Sequence, residues 1–153
     1  MVSDNPLDKR LLIISCSKRK KCGIAPAFEL YDGVVFRMLK KMRETGESLG
    51  NINVLILSSK YGLVEASRPI EYYEELLNDQ RVCELLPAIE RDLATFLATH
   101  QPREVYCCLG EMYWSLVRDV LECSNITHSN AKGRIGEKLA ELKKWILAEE
   151  KPA

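Results

Sequence analysis

Three short apolar runs constrain this chain more than anything else in it. LLIISC at 11–16, INVLILSS at 52–59 and EVYCCLG at 104–110 are nearly continuous stretches of apolar side chains. A strand with one wet face alternates polar and apolar residues, whereas a strand buried on both faces reads like these. Between the runs, apolar residues recur every three or four positions, the spacing of an amphipathic helix. Phe28, Leu30, Tyr31, Val34, Val35, Met38, Leu39 and Met42 predict one helix from Ala27 to about Glu47, ended by Gly46 and Gly50. A second helix is expected over 79–99, with Pro87 as a kink or restart, a third over 111–122 and a last over 134–149.

Strands alternating with helices make a parallel sheet covered on both faces. The expected fold is therefore α/β, a single domain over 1–153 with its core at about 11–146. It is a three-layer sandwich with three clear parallel strands and a short fourth near Asn125–His128. The segment 60–78, KYGLVEASRPIEYYEELLN, reads as a long connection broken by Gly62 and Pro69.

Charge narrows the partners. The 22 basic and 22 acidic residues cancel, so no global field draws the molecule to nucleic acid or to an anionic membrane. Any attraction for phosphate is local, and Lys18, Arg19, Lys20 and Lys21 stand in one block. No apolar run reaches the roughly 18 residues of a membrane span, and MVSDNPLDKR has no apolar signal core. A cytoplasmic protein is expected, in which the six cysteines are thiols rather than a disulfide framework. Cys83, Cys107 and Cys108 read as buried structural thiols. Cys16 and Cys22, without a second close pair, do not make a zinc site, and neither metal nor cofactor is expected.

In open α/β sheets, ligands bind beyond the carboxyl ends of the strands. The segments there are 15–21, 58–63 and 110–113. In the first, Cys16 is a thiol beside four cations, which favour both a bound anion and a thiolate; taken alone, the stretch is most simply a solvated lysine loop. His128 is the one histidine offered as a general base for it. In the second, Lys60 suits a phosphate or carboxylate and Tyr61 suits a base, with Gly62 turning the chain; packing of Tyr61 and Leu63 as turn anchors accounts for the same residues. PIEYYEELL at 69–77 reads most simply as a helix start, otherwise as a lid carrying Tyr72 and Tyr73. Gly133 and Gly136, opening a helix beside two cations, present N–H groups to a phosphate. The P-loop spacing is absent, as are G-x-G-x-x-G, H-E-x-x-H and G-x-S-x-G.

Together, Cys16, Ser17 and Lys20 of C-S-x-x-K, P-A-x-x-L-Y at 26–31, L-S-x-K-Y-G-L at 57–63 and G-x-x-G at 133–136 resemble an uncharacterised family of small α/β proteins of bacteria, archaea and phages. The resemblance spans about 11–146. Where that family commonly has I-x-P-Y-D, this chain keeps Ile70 and Tyr73 but has Tyr72 for the proline and Glu74 for the aspartate. Cys16, Ser17 and Lys20 are also distantly similar to the C-S-x-x-K domain of archaeosine synthase, which modifies a 7-deazaguanine base; the histidine that follows in that motif is missing. This second resemblance implies a uracil-DNA glycosylase-like sheet of four parallel strands with a base-binding crevice at their ends.

The expectation drawn from both sources is an enzyme acting on a nucleobase, nucleotide or nucleic acid, a modified or 7-deazaguanine base included. Cys16, Lys20 and Lys60 are the catalytic candidates; Ser17, Tyr31, Ser59, Tyr61, Tyr73, Gly133 and Gly136 are the ligand-binding ones. The rivals are a non-catalytic module binding nucleotide or single-stranded nucleic acid in the same crevice, and an interaction protein whose motifs only shape turns.

Overall fold

The central strand is the first one among the described residues. A computed structural model describes residues 9–46 and 49–148. In it β1 (Arg10–Ser15) lies between β3 (Ile52–Ser58) and β6 (Glu104–Cys108), parallel to both. β7 (Thr127–Asn130) extends the sheet parallel to β6, and β4 (Gly62–Glu65) closes the other edge antiparallel to β3. The order is β4-β3-β1-β6-β7.

Side chains alternate across the middle of this sheet. Leu12 and Ile14 enter one core, with Phe36, Leu39 and Met42 of α2 (Val34–Glu44) and Leu142 and Ile146 of α5 (Ile135–Ala148). Leu11 and Ile13 enter the other, with Leu85, Ile89, Leu93 and Leu97 of α3 (Asp79–His100) and Leu116, Val117 and Leu121 of α4 (Glu111–Cys123). Four β1 residues with no exposure each stabilise the fold by about 1.5–3 kcal/mol of transfer free energy, which is why their run shows no alternation.

Several expectations are corrected. Among the described residues the sheet has five strands, not four, because GLVE in the supposed long connection folds back on β3 as β4. Gly62 takes a φ of 80° to make that hairpin. The parallel fourth strand sits at 127–130, two residues later than expected, after Asn125 turns the chain at a φ of 64°. The helix from Ala27 is two helices, α1 (Ala27–Leu30) and α2. Tyr31 between them is extended and bridges to Lys20, a pairing that local periodicity does not reveal. The expected helix ends at Glu47 and residue 149 lie outside the described residues. Segment 69–77 starts no helix: β5 (Pro69–Glu71) pairs antiparallel with β2 (Ile24–Pro26), and α3 begins only after Asn78, whose side chain caps Arg81 N–H at 2.8 Å. α3 runs through Pro87.

Cys107 and Cys108 are buried as expected, but Cys83 is exposed. It sits two residues before Leu85, about 200° round the helix from the buried stripe. No described helix is long and apolar enough to cross a membrane.

Candidate functional site

β1 and β6 are neighbours whose chains leave in opposite directions, β1 towards β3 and β6 towards β7. The crevice beyond their carboxyl ends is where such a sheet opens for a ligand. Cys16 stands there, one residue past β1, its N–H still bonded to Leu57 O at 2.8 Å. Across from it Tyr113 projects from the first turn of α4, just after Gly110. The Cys16 Sγ lies 3.2 Å from the Tyr113 hydroxyl and 3.8 Å from Ser59 Oγ.

The proton order around this sulfur follows from the partners. Ser59 donates its own proton to Glu75 O at 2.6 Å, so its oxygen can only accept from the thiol. Burial first, and then the charge of Cys16, push the Tyr113 phenol above its ordinary range, so it is a protonated donor at neutral pH. A Cys16 thiolate would therefore sit in front of a fixed O–H donor, an arrangement that stabilises developing negative charge or returns a proton to a leaving atom. Among the described residues no histidine or carboxylate side chain bonds the sulfur. His128 is not its base: it is level with Leu11 in the sheet register, five residues or about 16 Å short of Cys16, and its Nδ1 faces Ile126 O at 2.8 Å.

Beneath the thiol, Ser58 is a hub. Its Oγ accepts from Lys60 N at 3.1 Å and Tyr61 N at 2.9 Å, and meets the Tyr73 hydroxyl at 2.9 Å. Tyr73 in turn meets the Tyr31 hydroxyl at 2.6 Å. Tyr31 is fully buried and Tyr73 nearly so, and burial pushes the Tyr31 phenol up to about 12 and raises that of Tyr73 further. Neither ring has a face open to a base. Their hydroxyls are spent on Ser58 and on one another, so the base-holding role expected for Tyr31 and Tyr73 is corrected to a supporting one.

Lys20 and Lys60 border the same ring. Their ammonium groups lie 4.7 and 6.0 Å from the centroid of the same ring, that of Tyr73. Lys20 is held by Ser17 O at 3.1 Å and Lys18 O at 3.0 Å, leaving one of its three donors for a ligand. Lys60 also lies over Tyr61, whose ring is only part-buried. Ser17 has its hydroxyl committed to the turn itself, donating to Arg19 O at 2.6 Å and accepting from Gly33 N–H at 3.2 Å. Gly133 and Gly136 lie beyond β7, two strands from β1, and the Arg134 N–H is already taken by Glu137 Oε1 at 2.7 Å.

Gly33 is where the site depends on a missing side chain. A Cβ there would stand 2.6 Å from Ser17 Cβ. Gly33→Ala is expected to cost about 1–3 kcal/mol and to displace the 16–20 turn, read as a lower urea midpoint. Gly110→Ala is the matched control: it too precedes a helix, and its Cβ would meet nothing within 4 Å. Equal losses in the two variants would show that capping, not the contact with Ser17, sets the cost.

Tyr113, Ser58 and Arg81 were not candidates from sequence. Arg81 pins the 58–62 turn by donating to Ser59 O at 2.8 Å and Lys60 O at 2.7 Å. Tyr113 carried a signal in its place in the first turn after a strand-ending glycine, and Ser58 in its place as the serine of L-S-x-K-Y-G-L. A cavity of about 660 Å³ between α3 and α4, bordered by Leu97, Pro102, Cys123 and Ile126, lies at the opposite end of the strands. No described cluster of three or more histidine, cysteine or acidic residues is placed to hold a metal ion.

The profile of a family of unknown function (DUF6884) matches residues 11–144, nearly all of the described chain. The chain belongs to this family. The matched span takes in the Cys16 turn, the Ser58 hub and Tyr113. Among solved structures, the crystal structure of AF0587, a protein of unknown function, shares the fold with a TM-score of 0.61 at 16% identity. The match covers 95% of this chain and 46% of that one, so this chain spans about half the length of that protein. No curated protein matches.

Proposed function

We propose that the chain is an enzyme acting on a nucleobase, nucleotide or nucleic acid, with Cys16 as its reactive thiol. The observation that carries the reading is the 3.2 Å approach of the Cys16 sulfur to the Tyr113 hydroxyl, across the gap between β1 and β6. A half-buried thiol opposite a protonated phenol at that point suits nucleophilic chemistry better than packing. Lys20 and Lys60 neutralise the anionic part of the substrate, and Tyr61 lies against its base. The likeness of Cys16, Ser17 and Lys20 to the archaeosine synthase domain, and of the fold to uracil-DNA glycosylase, belongs to this proposal. It is supported by four mutually parallel strands in the sheet, and the likeness points to a modified base such as a 7-deazaguanine. Cytoplasmic residence belongs to it as well, supported by six free cysteines.

A second reading, a non-catalytic module binding nucleotide or single-stranded nucleic acid, is favoured by one fact: among the described residues no acid or histidine bonds the Cys16 sulfur. One experiment separates the two. Thiol alkylation is followed site by site by mass spectrometry, with and without a panel of nucleosides, nucleotides and oligonucleotides, and products are sought with the wild type and Cys16→Ala. The expected result is that a substrate slows labelling of Cys16 but not of exposed Cys22, Cys83 or Cys123, and that its product is missing with Cys16→Ala. Product formed at an undiminished rate by Cys16→Ala removes the thiol from the chemistry. Protection without product favours the binding module.

A further inference from the structure

The lysine pair over Tyr73 belongs to a longer row. Starting from the exposed ring of Tyr72, Lys20 Nζ is 5.8 Å from its centroid and 4.7 Å from that of Tyr73. Lys60 Nζ is 6.0 Å from Tyr73 and 5.3 Å from Tyr61, and the Arg68 guanidinium carbon is 5.7 Å from Tyr61. Three cations thus alternate with three rings over segments 20, 60–61, 68 and 72–73. Each ring–cation step is short enough for a cation–π contact, which holds the row in place before any ligand arrives.

Acidic residues flank the row, and one of them is turned away to Arg81. Glu74 accepts from the Tyr72 hydroxyl at 2.8 Å, and Glu75 lies 3.8 Å from Arg81 Nε. Glu71 lies alongside with its carbonyl 3.4 Å from the Tyr61 hydroxyl. The chain has no net charge, so a row of three cations is a local feature and not part of a general basic surface.

Resting on the reading above, we infer that this row is a track for single-stranded nucleic acid, with phosphates on Lys20, Lys60 and Arg68 and an unpaired base on Tyr72. A free nucleotide, even a triphosphate, carries its phosphates in one contiguous chain and offers a single base to the rings. A duplex keeps its bases stacked inside and offers nothing to an exposed tyrosine. A strand offers a repeating anion and a repeating π-face, the pattern that cationic grooves with aromatic platforms recognise. DNA and RNA share that chemistry.

The test is fluorescence anisotropy with labelled oligo-dT and oligo-rU of about ten nucleotides, titrated at potassium chloride from about 0.05 to 0.2 M. Three phosphate contacts predict a slope of log K against log salt of about −2, a loss of roughly fifteen-fold across that range. Lys60→Ala and Arg68→Ala, both at exposed positions, each reduce the slope by about 0.7, and Tyr72→Ala weakens binding roughly tenfold with the slope unchanged. Tighter binding of oligo-rU than of oligo-dT assigns the strand as RNA, the reverse as DNA, and equal binding as either; all three support the track.

A flat slope in the wild type overturns it. So does a duplex bound as tightly as the strand, or polyglutamate of equal charge displacing the strand as well as unlabelled strand does, which would make the row an acidic-peptide surface. The enzyme reading has a separate readout. Thiol-dependent turnover of a mononucleotide with a flat strand slope sinks the track alone, and a normal slope without thiol-dependent turnover sinks the enzyme alone.

Discussion

Arg10→Ala lowers the midpoint of thermal unfolding by about 10 °C, a stability loss of about 3–4 kcal/mol. Arg10 is a charged residue with 2% exposure at the start of the central strand. Its Nη1 donates to Trp145 O at 2.6 Å and its Nη2 to Ile146 O at 3.1 Å, two carbonyls in the last turn of α5. Carbonyls at a helix end have no partner within the helix, and a cation there also opposes the negative end of the helix dipole. The guanidinium carbon is 4.2 Å from the centre of the Trp145 ring, which itself stacks on Tyr106 at 5.0 Å. Truncation strips both carbonyls of their donor, removes the cation over the ring, and leaves a hole between β1 and α5. Desolvation is the largest influence on Arg10 and pulls its pKa down, yet the group stays charged at any ordinary pH, so the loss should not vary between pH 5 and 9. Calorimetry over that range checks both statements. A shift under 3 °C would mean that water replaces the guanidinium without cost. Arg10→Met, which keeps the packing stem, is expected to recover part of the loss.

Ser58→Ala has the next largest effect, about 3 kcal/mol, and it reaches the site. One oxygen, 1% exposed as a residue, serves two backbone N–H groups and the Tyr73 hydroxyl. Alanine leaves three polar groups without that partner, and each orphaned buried group costs about 1–3 kcal/mol, reduced where a neighbour takes over. Tyr73 retains Tyr31; Lys60 N and Tyr61 N have no such substitute among the hydrogen bonds of the turn. The 58–62 turn should loosen, carrying Lys60 and Tyr61 with it. Urea denaturation measures the stability, and amide exchange at residues 60 and 61 measures the turn. Unchanged protection at those two amides would show that they find other acceptors. Ser58→Thr keeps the oxygen and is expected to lose less than half as much.

The sheet was legible where burial on both faces suppresses alternation. Leu11–Ile14, Leu55–Leu57 and Val105–Cys108 announce themselves because water touches neither side. GLVE escaped because four residues beginning with glycine carry too little pattern to outweigh a loop. The break in the first helix escaped because its cause is remote: Tyr31 leaves the helical conformation to pair with Lys20, and α2 starts at a glycine pressed against Ser17. Cys16 follows from its place at a strand end, and the same logic puts 110–113 at the crevice, although nothing in that segment's pattern singles out Tyr113. Tyr31 and Tyr73 illustrate the converse error. A tyrosine near a proposed crevice presents either its ring or its hydroxyl, and only the fold decides that these two turn inward to share one serine.

The place of β1 has a consequence for how the molecule is made. β1 is synthesised before both of its partners, at 52–57 and 104–108, and ends in the middle of the sheet. During synthesis, residues 10–15 therefore wait for more than ninety further residues before their second edge is covered. A nascent chain halted before β6 displays an open row of unpaired amides and carbonyls along RLLIIS, a template for any other extended segment nearby. The helices can form as they emerge, but β1 keeps an open edge until residues 104–108 have been made, and C-terminal truncations short of 108 should aggregate rather than fold to a smaller domain.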